Sequence, residues 1–286
     1  MTRMISTSLV LFALVLAGCG SGTQAPAQNT PSAAKKMVIG AALLTQTHVF
    51  FQDLARAMEE EAKAQGAELR IQYAEFDSGK QNNQMETFAM QGVSAIIVSP
   101  CDSAGIAPVI AEARAKGIPV FTVDIAAHGA EVVSHIASDN VKGGELVGDY
   151  LAKLLNNKGK VAIIDHREAA SVQERVSGFL KALEKYPEIQ VVQRVPGEGQ
   201  RDKALKATQD LLQSTQDLNA IFGINDDSAL GALAAVEAAG MQDKVFIVGY
   251  DGTPEARAAI LAGKAPKADT VQFPAKIGQQ AIQTVL

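Results

Sequence analysis

Polar side chains follow short apolar runs at five points in the chain, and they are the residues whose chemistry can be inferred first. The five places are residues 99–102, Asp124, 165–167, 225–227 and 250–252. In a parallel α/β sheet, ligands bind beyond the carboxyl ends of the strands, so these side chains are the first candidates for ligand contacts. For Asp102, Asp226 and Asp227 we favour helix capping and compensation of the helix dipole, common roles of Asp. Asp124 and Asp251 directly follow strand residues, where a side chain points into a crevice instead.

The same residues do not form a catalytic or metal-binding pattern. No nucleophile elbow, zinc-protease helix, phosphate loop or dinucleotide fingerprint follows a strand. Asp165 and His166 could act as an acid–base pair, but no nucleophile accompanies them. The four histidines lack a metal-ligating spacing. The sequence therefore predicts a binding protein that is not an enzyme and has neither a cofactor nor a metal site.

Apolar runs and amphipathic segments alternate from Met37 onward. The runs cover residues 37–44, 95–98, 120–123, 161–164, 220–224 and 245–248. Between them lie segments of helical spacing, such as 51–62, 106–113, 205–212 and 227–239, the last followed by Gly240 at a helix C-terminus. Buried strands separated by such helices predict an α/β fold with parallel sheets covered on both faces. About 250 residues favour two lobes over one.

The first nineteen residues have the pattern of an export signal. A basic leader (Arg3) precedes an apolar run at 9–16 that is too short to span a bilayer. The small residues before Cys19 resemble the lipobox of bacterial lipoproteins, so we expect 1–19 to be a lipoprotein signal peptide with lipidation at Cys19. An ordinary signal peptide with an incidental cysteine is the alternative. Residues 20–36 are predicted to form a flexible tether.

The composition of the chain limits the kinds of partner that the protein can bind. The formal net charge is −5, with 20% charged and 47% hydrophobic residues, and an acidic chain without a basic cluster argues against nucleic-acid binding. After Cys19 the only thiol is Cys101, which we expect to be a small buried side chain. We expect a monomer that meets the membrane through its lipid anchor only, either periplasmic or on the outer face of the cytoplasmic membrane.

Several motifs, in order, resemble the type I periplasmic sugar-binding proteins, the family of the bacterial ribose-binding proteins. They lie at 132–140 (VVSHIASDN), 143–144 (GG), 225–226 (ND), 229–232 (ALGA) and 248–254 (VGYDGTP). The resemblance implies two Rossmann-like lobes joined by a multi-strand hinge. One lobe would be 37–138 plus 270–286, and the other 139–269. It also implies a final strand and a third crossover, which the sequence ending at Leu286 does not include.

The resemblance also implies the ligand site. The predicted residues are His48, Phe50, Phe51, Asp124, Arg175, Asn225, Tyr250, Asp251 and Gln272. Phe50 and Phe51 match an aromatic pair against the sugar ring, although Phe51 fits a core position equally well. The aspartates, Asn225 and Gln272 match hydroxyl partners, and Arg175 matches a guanidinium donor.

Three positions depart from the ribose pattern. Ile125 stands where the ribose binder has a second arginine, His48 replaces an asparagine, and Gly199 stands near the place of an aromatic residue. We therefore expect a ligand other than ribose.

The predicted function is a lipid-anchored solute-binding protein that captures a monosaccharide or polyol for an ABC transporter and its permease. The alternative is a sensor subunit that presents its ligand to a chemoreceptor or histidine kinase.

Overall fold

The computed structural model describes residues 36–286, so the predicted signal peptide, Cys19 and nearly all of the tether lie outside the described part. Two parallel five-stranded sheets with flanking helices organise the described residues. This confirms the predicted α/β fold with two parallel sheets. Within residues 36–286, no helix is both long and apolar enough to cross a membrane.

The first sheet has the strand order β2-β1-β3-β4-β5. Its strands are β1 (Val38–Leu43), β2 (Glu68–Tyr73), β3 (Ala95–Val98), β4 (Val120–Val123) and β5 (His135–Ile136). The helices that accompany it are α1 (Val49–Ala64), α2 (Ser78–Met90), α3 (Ala107–Ala115) and, from the end of the chain, α9 (Pro274–Val285). Helix α9 packs along α1 and reaches β4 and β5. We call this assembly the first lobe.

The second lobe is built on a sheet of strand order β10-β9-β8-β6-β7. Its strands are β6 (Lys158–Asp165), β7 (Glu188–Pro196), β8 (Ala220–Gly223), β9 (Phe246–Asp251) and β10 (Pro266–Val271). Its helices are α4 (Asn140–Leu154), α5 (Ala170–Leu183), α6 (Arg201–Ser214), α7 (Asp226–Ala238) and α8 (Pro254–Leu261).

The six apolar runs identified in the sequence coincide, within one residue at their ends, with β1, β3, β4, β6, β8 and β9 or parts of them. Strands β2, β5, β7 and β10 were not among those runs. Strand β5 has only two residues, and the other three are mostly half-buried or exposed and mix polar with apolar types. The predicted apolar face of α1 is confirmed, since Phe51, Leu54 and Met58 are all buried.

Two chain segments pass between the lobes, at 137–139 before α4 and at 272–273 before α9. The first contains the predicted lobe boundary at 138/139. The predicted boundary at 269/270 falls inside β10, whose pairing with β9 continues to Val271. The division of the chain at these two residues stays a prediction.

Glycines bring α4 and α5 into backbone contact. A Cβ at Gly144 would lie 2.0 Å from the carbonyl oxygen of Arg175, and a Cβ at Gly178 would lie 2.0 Å from that of Val141. Since no real Cβ tolerates such distances, only glycine permits this helix separation. The close pairing fixes the position of α5, the helix that carries Arg175.

We expect Gly178→Ala to lower the free energy of unfolding by about 2 kcal/mol or more, because the methyl group forces α4 and α5 apart. Thermal and urea unfolding measure the loss. The matched control is Ser177→Ala on the exposed side of the same helix, for which we expect a change within about 0.5 kcal/mol. Equal stability of the two variants would contradict the close helix contact.

Candidate functional site

A cavity with an empty volume of about 430 Å³ lies between the two lobes, at the carboxyl ends of their strands. Eight of the nine residues predicted from sequence line it: His48, Phe50, Phe51, Asp124, Arg175, Asn225, Asp251 and Gln272. The position follows the general rule that ligands of open α/β sheets bind beyond the carboxyl ends of the strands.

The guanidinium of Arg175 is held by three elements of the second lobe. Its Nε donates to Asn140 Oδ1 (2.9 Å), at the start of α4, and its Nη1 donates to the Ile224 carbonyl (2.9 Å), just after β8. The ring of Tyr250 lies 4.1 Å from the guanidinium carbon, a cation–π contact. Asn140 Nδ2 donates in turn to Glu174, which orients the amide. Arg175 is therefore fixed before any ligand arrives.

Tyr250 is the exception among the nine predicted residues. It is 1% exposed and lies behind Arg175, so it supports the guanidinium and does not line the cavity. Its role in ligand binding stays a prediction, and the structure places its ring under the guanidinium that lines the cavity.

Two buried carboxylates face Arg175 from opposite lobes. Asp124 Oδ1 lies 3.9 Å from Nη2, and Asp251 Oδ1 lies 3.8 Å from Nη1. These distances are too long for hydrogen bonds, so the charges attract across a gap. Asp124 Oδ1 and Gln272 Oε1 are both buried without a hydrogen-bond partner among the described residues. The cavity thus offers unpaired acceptors close to an N–H donor.

The environment sets the charge of the two carboxyl groups differently. Burial raises the pKa of Asp124 to about 7, and the nearby Asp251 adds to the shift while Arg175 opposes it. Burial also disfavours ionised Asp251, but His48, Arg175 and Gln272 outweigh it and lower the pKa of Asp251. Gln272 Nε2 donates to Asp251 Oδ1 at 2.7 Å. Asp251 is therefore the fixed anion of the site.

His48 connects the lobes. As the N-cap of α1, its Nδ1 accepts from the Phe50 N–H (3.1 Å), which leaves the proton on Nε2. Nε2 lies 3.3 Å from Asp251 Oδ2 and 3.8 Å from Asp227 Oδ2. Burial disfavours the imidazolium, yet the carboxylate of Asp251 outweighs it and raises the pKa of His48. His48 thus has two roles at once: its Nδ1 caps helix α1, and its Nε2 is a donor that faces the site.

Backbone strain marks the two aspartates. Asp124 has φ = 62° and Asp251 has φ = 125°, conformations that residues other than glycine seldom adopt. Strain of this kind persists where surrounding structure imposes it, commonly at functional sites. Asp124 and Asp251 lie at the carboxyl ends of their strands, and both side chains point into the cavity, as the sequence predicted.

Aromatic rings form the apolar walls. Phe50 and Phe51 meet edge to face with ring centroids 5.2 Å apart, and both also belong to the core of the first lobe. Phe76 and His166 come from opposite lobes, and their ring centroids lie 6.4 Å apart. A Cβ at Gly199 would be 3.5 Å from His166 Nδ1 and 3.8 Å from the Phe76 ring. These two rings therefore occupy the space beside Gly199.

Asn225 lines the cavity but is partly committed elsewhere. Its Oδ1 accepts from Ser228 N (2.9 Å) as the N-cap of α7, and its Nδ2 donates to the Gly199 carbonyl (3.0 Å). The cap of α7 is thus Asn225, and Asp226 and Asp227 lie in the first turn of that helix without capping it. Asp102 caps no helix either, because the N-cap of α3 is Ile106. Its Oδ1 instead accepts from the N–H groups of residues 104 and 105 in the preceding loop. The expected capping was therefore wrong for all three aspartates.

Asp226 instead forms a buried carboxyl pair with Asp269, directly below Asp251. Its Oδ2 accepts from Thr253 N (2.7 Å), and Asp269 Oδ2 accepts from Gly252 N (3.0 Å). The Oδ1 atoms of both residues are buried and have no partner in the described part of the chain, so a proton on one carboxyl group can be shared with the other. Burial raises the pKa of Asp226 to about 10 and that of Asp269 to about 6. The pair therefore retains one proton at neutral pH.

Sequence reasoning did not assign Phe76, Asn140, His166 or Asp227 to the site. His166 follows β6 and so carried a usable signal. Asn140 belongs to a recognised motif, but only the fold shows that it holds Arg175. Phe76 follows a half-buried strand that the apolar pattern did not reveal, and nothing in its own residue type marks it.

Residues 39–286 match the family described as the periplasmic binding protein domain. The chain belongs to that family, and the predicted resemblance is confirmed.

Two curated relatives are ribose import binding proteins. The protein from Bacillus subtilis (strain 168) is 35% identical to this chain, and the match covers 99% of this chain and 92% of the relative. The protein from Escherichia coli (strain K12) is 34% identical, and the match covers 94% of this chain and 90% of the relative. The match to binding proteins confirms that the chain is not an enzyme.

Solved structures of similar proteins have the same fold as this chain. A Caulobacter myo-inositol binding protein bound to myo-inositol is 32% identical, with a TM-score of 0.82 and 87% of each chain covered. A periplasmic solute-binding protein from Actinobacillus succinogenes with bound D-allose is 31% identical, with a TM-score of 0.79, covering 87% of this chain and 90% of that one. The fold is therefore that of the type I periplasmic binding proteins.

The carboxyl pair makes stability depend on pH. Its folded pKa values are above those of the unfolded chain, so its stabilising contribution is complete at low pH and declines as pH rises through them. In Asp269→Asn the amide can donate to Asp226 without a shared proton. We expect this variant to melt at least about 3 °C above the unchanged protein at pH 8, with a smaller gain at pH 5.

The control for this measurement is Asp243→Asn, which removes a carboxylate from an exposed turn. Its melting temperature should follow that of the unchanged protein at both pH values. A gain for Asp269→Asn that is equal at pH 5 and pH 8 would show that the two carboxyl groups do not share a proton.

Proposed function

We propose that this chain captures a monosaccharide or polyol between its lobes and delivers it to the permease of an ABC importer. The observation that carries the proposal is the buried set of unpaired acceptors, Asp124 Oδ1 and Gln272 Oε1, beside the guanidinium of Arg175. Hydroxyl groups donate once and accept twice, so a polyhydroxy compound satisfies both kinds of group. Relatives named for ribose, D-apiose and D-allose support the ligand class.

Binding proceeds by closure of the lobes. The first lobe contributes Asp124 and His48, and the second contributes Arg175 and Asp251. A ligand can complete all these hydrogen bonds only when both lobes meet, so it binds the closed state more tightly and shifts the population toward it.

We propose a ligand other than ribose. Ile125 is 3% exposed and lines the cavity, so the wall beside Asp124 is apolar where the ribose pattern has an arginine. One guanidinium then faces two carboxylates. A ligand with more donors, such as a polyol, or one with fewer oxygens beside residue 125, fits this arrangement. Sites built on hydroxyl partners discriminate strongly when a polar group is unmatched.

We further propose that the protein works outside the cytoplasmic membrane as a monomer anchored by lipid on Cys19. The family supports a periplasmic location. The anchor rests on the sequence around Cys19 alone.

A sensor role is the second candidate. One structural neighbour, 26% identical with a TM-score of 0.81, is the fructose-binding periplasmic domain of a hybrid two-component system. In that case the closed protein would be presented to a chemoreceptor or histidine kinase. Co-purification with a permease or with a kinase separates the two roles.

A ligand panel tests the proposed site. We expect at least one of D-allose, D-apiose and myo-inositol to raise the melting temperature and to bind more tightly than D-ribose in calorimetry. Arg175→Ala should weaken the tightest binder at least tenfold, because it leaves two buried carboxylates without their cation. The control, Arg70→Ala, removes an exposed arginine from β2 and should not change affinity.

Two outcomes would contradict this account separately. If D-ribose exceeds every other compound, the argument from Ile125 is wrong while the sugar site stands. If Arg175→Ala binds as tightly as the unchanged protein, the cavity is not the site.

The anchor has its own test. We expect Cys19→Ser to move the protein from the membrane fraction to the soluble fraction of a bacterial host, with unchanged ligand affinity. Cys101→Ser is the matched control. It alters a thiol that is buried in the first lobe, and it should leave the protein with the membrane. A membrane-bound Cys19→Ser variant would contradict lipidation.

A further inference from the structure

Ser103 makes direct hydrogen bonds across the cleft between the lobes. Its backbone N–H donates to the Glu168 carbonyl (2.9 Å), and its Oγ accepts from the Ala170 N–H (2.8 Å). Ser103 follows β3 in the first lobe, while residues 168 and 170 precede and begin α5 in the second. The side chain is 1% exposed and does not line the ligand cavity.

The bond to Ala170 is a helix cap supplied from the other lobe. The N-cap residue of α5 is Ala169, which has no side chain able to cap. Helices α1, α2, α4, α7 and α8 are capped by their own N-cap side chains. An N-terminal N–H group without a partner is costly when it is buried, and Ala170 is 1% exposed. Helix α5 therefore depends on Ser103 for this cap.

The first lobe holds Ser103 rigidly in the position to cap. Asp102 Oδ1 accepts from the N–H groups of Ala104 and Gly105 (both 2.9 Å), which closes the loop around it. His128 N donates to the Ser103 carbonyl (2.6 Å). Both the N–H and the Oγ of Ser103 are thereby directed toward the second lobe.

The capped helix is also the one that carries the ligand-binding guanidinium. Ser171 and Val172, in the first turn of α5, line the cavity, and Arg175 lies one turn further along. When the lobes separate, the hydrogen bonds of Ser103 must break and the first turn of α5 loses its cap. The contact therefore couples lobe closure to the helix that positions Arg175.

We propose that Ser103 is a positioning residue that caps α5 across the cleft in the closed state and so slows ligand release without touching the ligand. The inference rests on the proposed closure of the lobes around a ligand. It predicts that the closed state, and not the fold of either lobe, loses stability when the hydroxyl is removed.

The test compares Ser103→Ala with the unchanged protein, using D-allose, myo-inositol and D-ribose as probes. We expect the dissociation constant for each bound probe to rise about five- to thirtyfold, the range for a lost cap that leaves a buried N–H unpaired. Stopped-flow kinetics should place the change in the dissociation rate, with an association rate within about twofold. The melting temperature without ligand should stay nearly unchanged.

The control is Asp77→Ala, which removes a cap made within the first lobe, where Asp77 Oδ1 accepts from Lys80 N (2.9 Å). It should lower the melting temperature without changing affinity or dissociation rate. A Ser103→Ala variant that releases its probe at the unchanged rate would overturn the proposal. So would one that behaves like the control.

The proposal can also be separated from the choice of sugar. If none of the three probes binds the unchanged protein, none of them is its ligand, and the cap is judged on ligand-free protein. Small-angle X-ray scattering should then give a larger radius of gyration for Ser103→Ala, because its open form is more populated. Identical scattering of the two proteins would overturn the role of Ser103.

Discussion

The guanidinium of Arg175 is a cation held almost wholly out of water, with its side chain 5% exposed. Such a group is tolerated only when its N–H groups are bonded and its charge is balanced. Asn140 and the Ile224 carbonyl accept from Nε and Nη1 within the second lobe. Ionised Asp251 of the same lobe balances most of the charge, and Asp124 of the other lobe, whose pKa burial raises to about 7, adds to it. The surroundings of Arg175 are therefore complete only when both lobes are together.

The balance is incomplete in a way that suits a neutral, hydroxylated ligand. Neither carboxylate approaches the guanidinium closer than 3.8 Å, so a hydroxyl can donate to one and accept from the other. The burial that raises the pKa of Asp124 also strengthens each hydrogen bond made there, because water does not compete. The Phe50 and Phe51 rings supply an apolar surface for C–H groups.

Sequence predicted the two-sheet fold from local patterns, because apolar runs mark the strands of the sheets. Polar residues at strand ends pointed to Asp124 and Asp251 in the same way. Other cavity residues, such as Phe50, Arg175 and Gln272, were predicted from the resemblance to the type I periplasmic sugar-binding proteins and not from spacing. Contacts between distant segments could not be predicted this way. The commitment of Asn225 to capping, the position of Tyr250 behind Arg175 and the pairing of Asp226 with Asp269 depend on three-dimensional packing that no spacing encodes.

The central claim is that one buried guanidinium and two carboxylates from opposite lobes bind hydroxyl groups between them. A crystal structure of the protein with its tightest-binding sugar or polyol tests this claim most directly. The account predicts ligand oxygens within about 3 Å of Asp124 Oδ1, Arg175 Nη2 and Gln272 Oε1. A ligand bound between the lobes that leaves Arg175 and Asp124 without contact, or one bound outside the cavity, would contradict it.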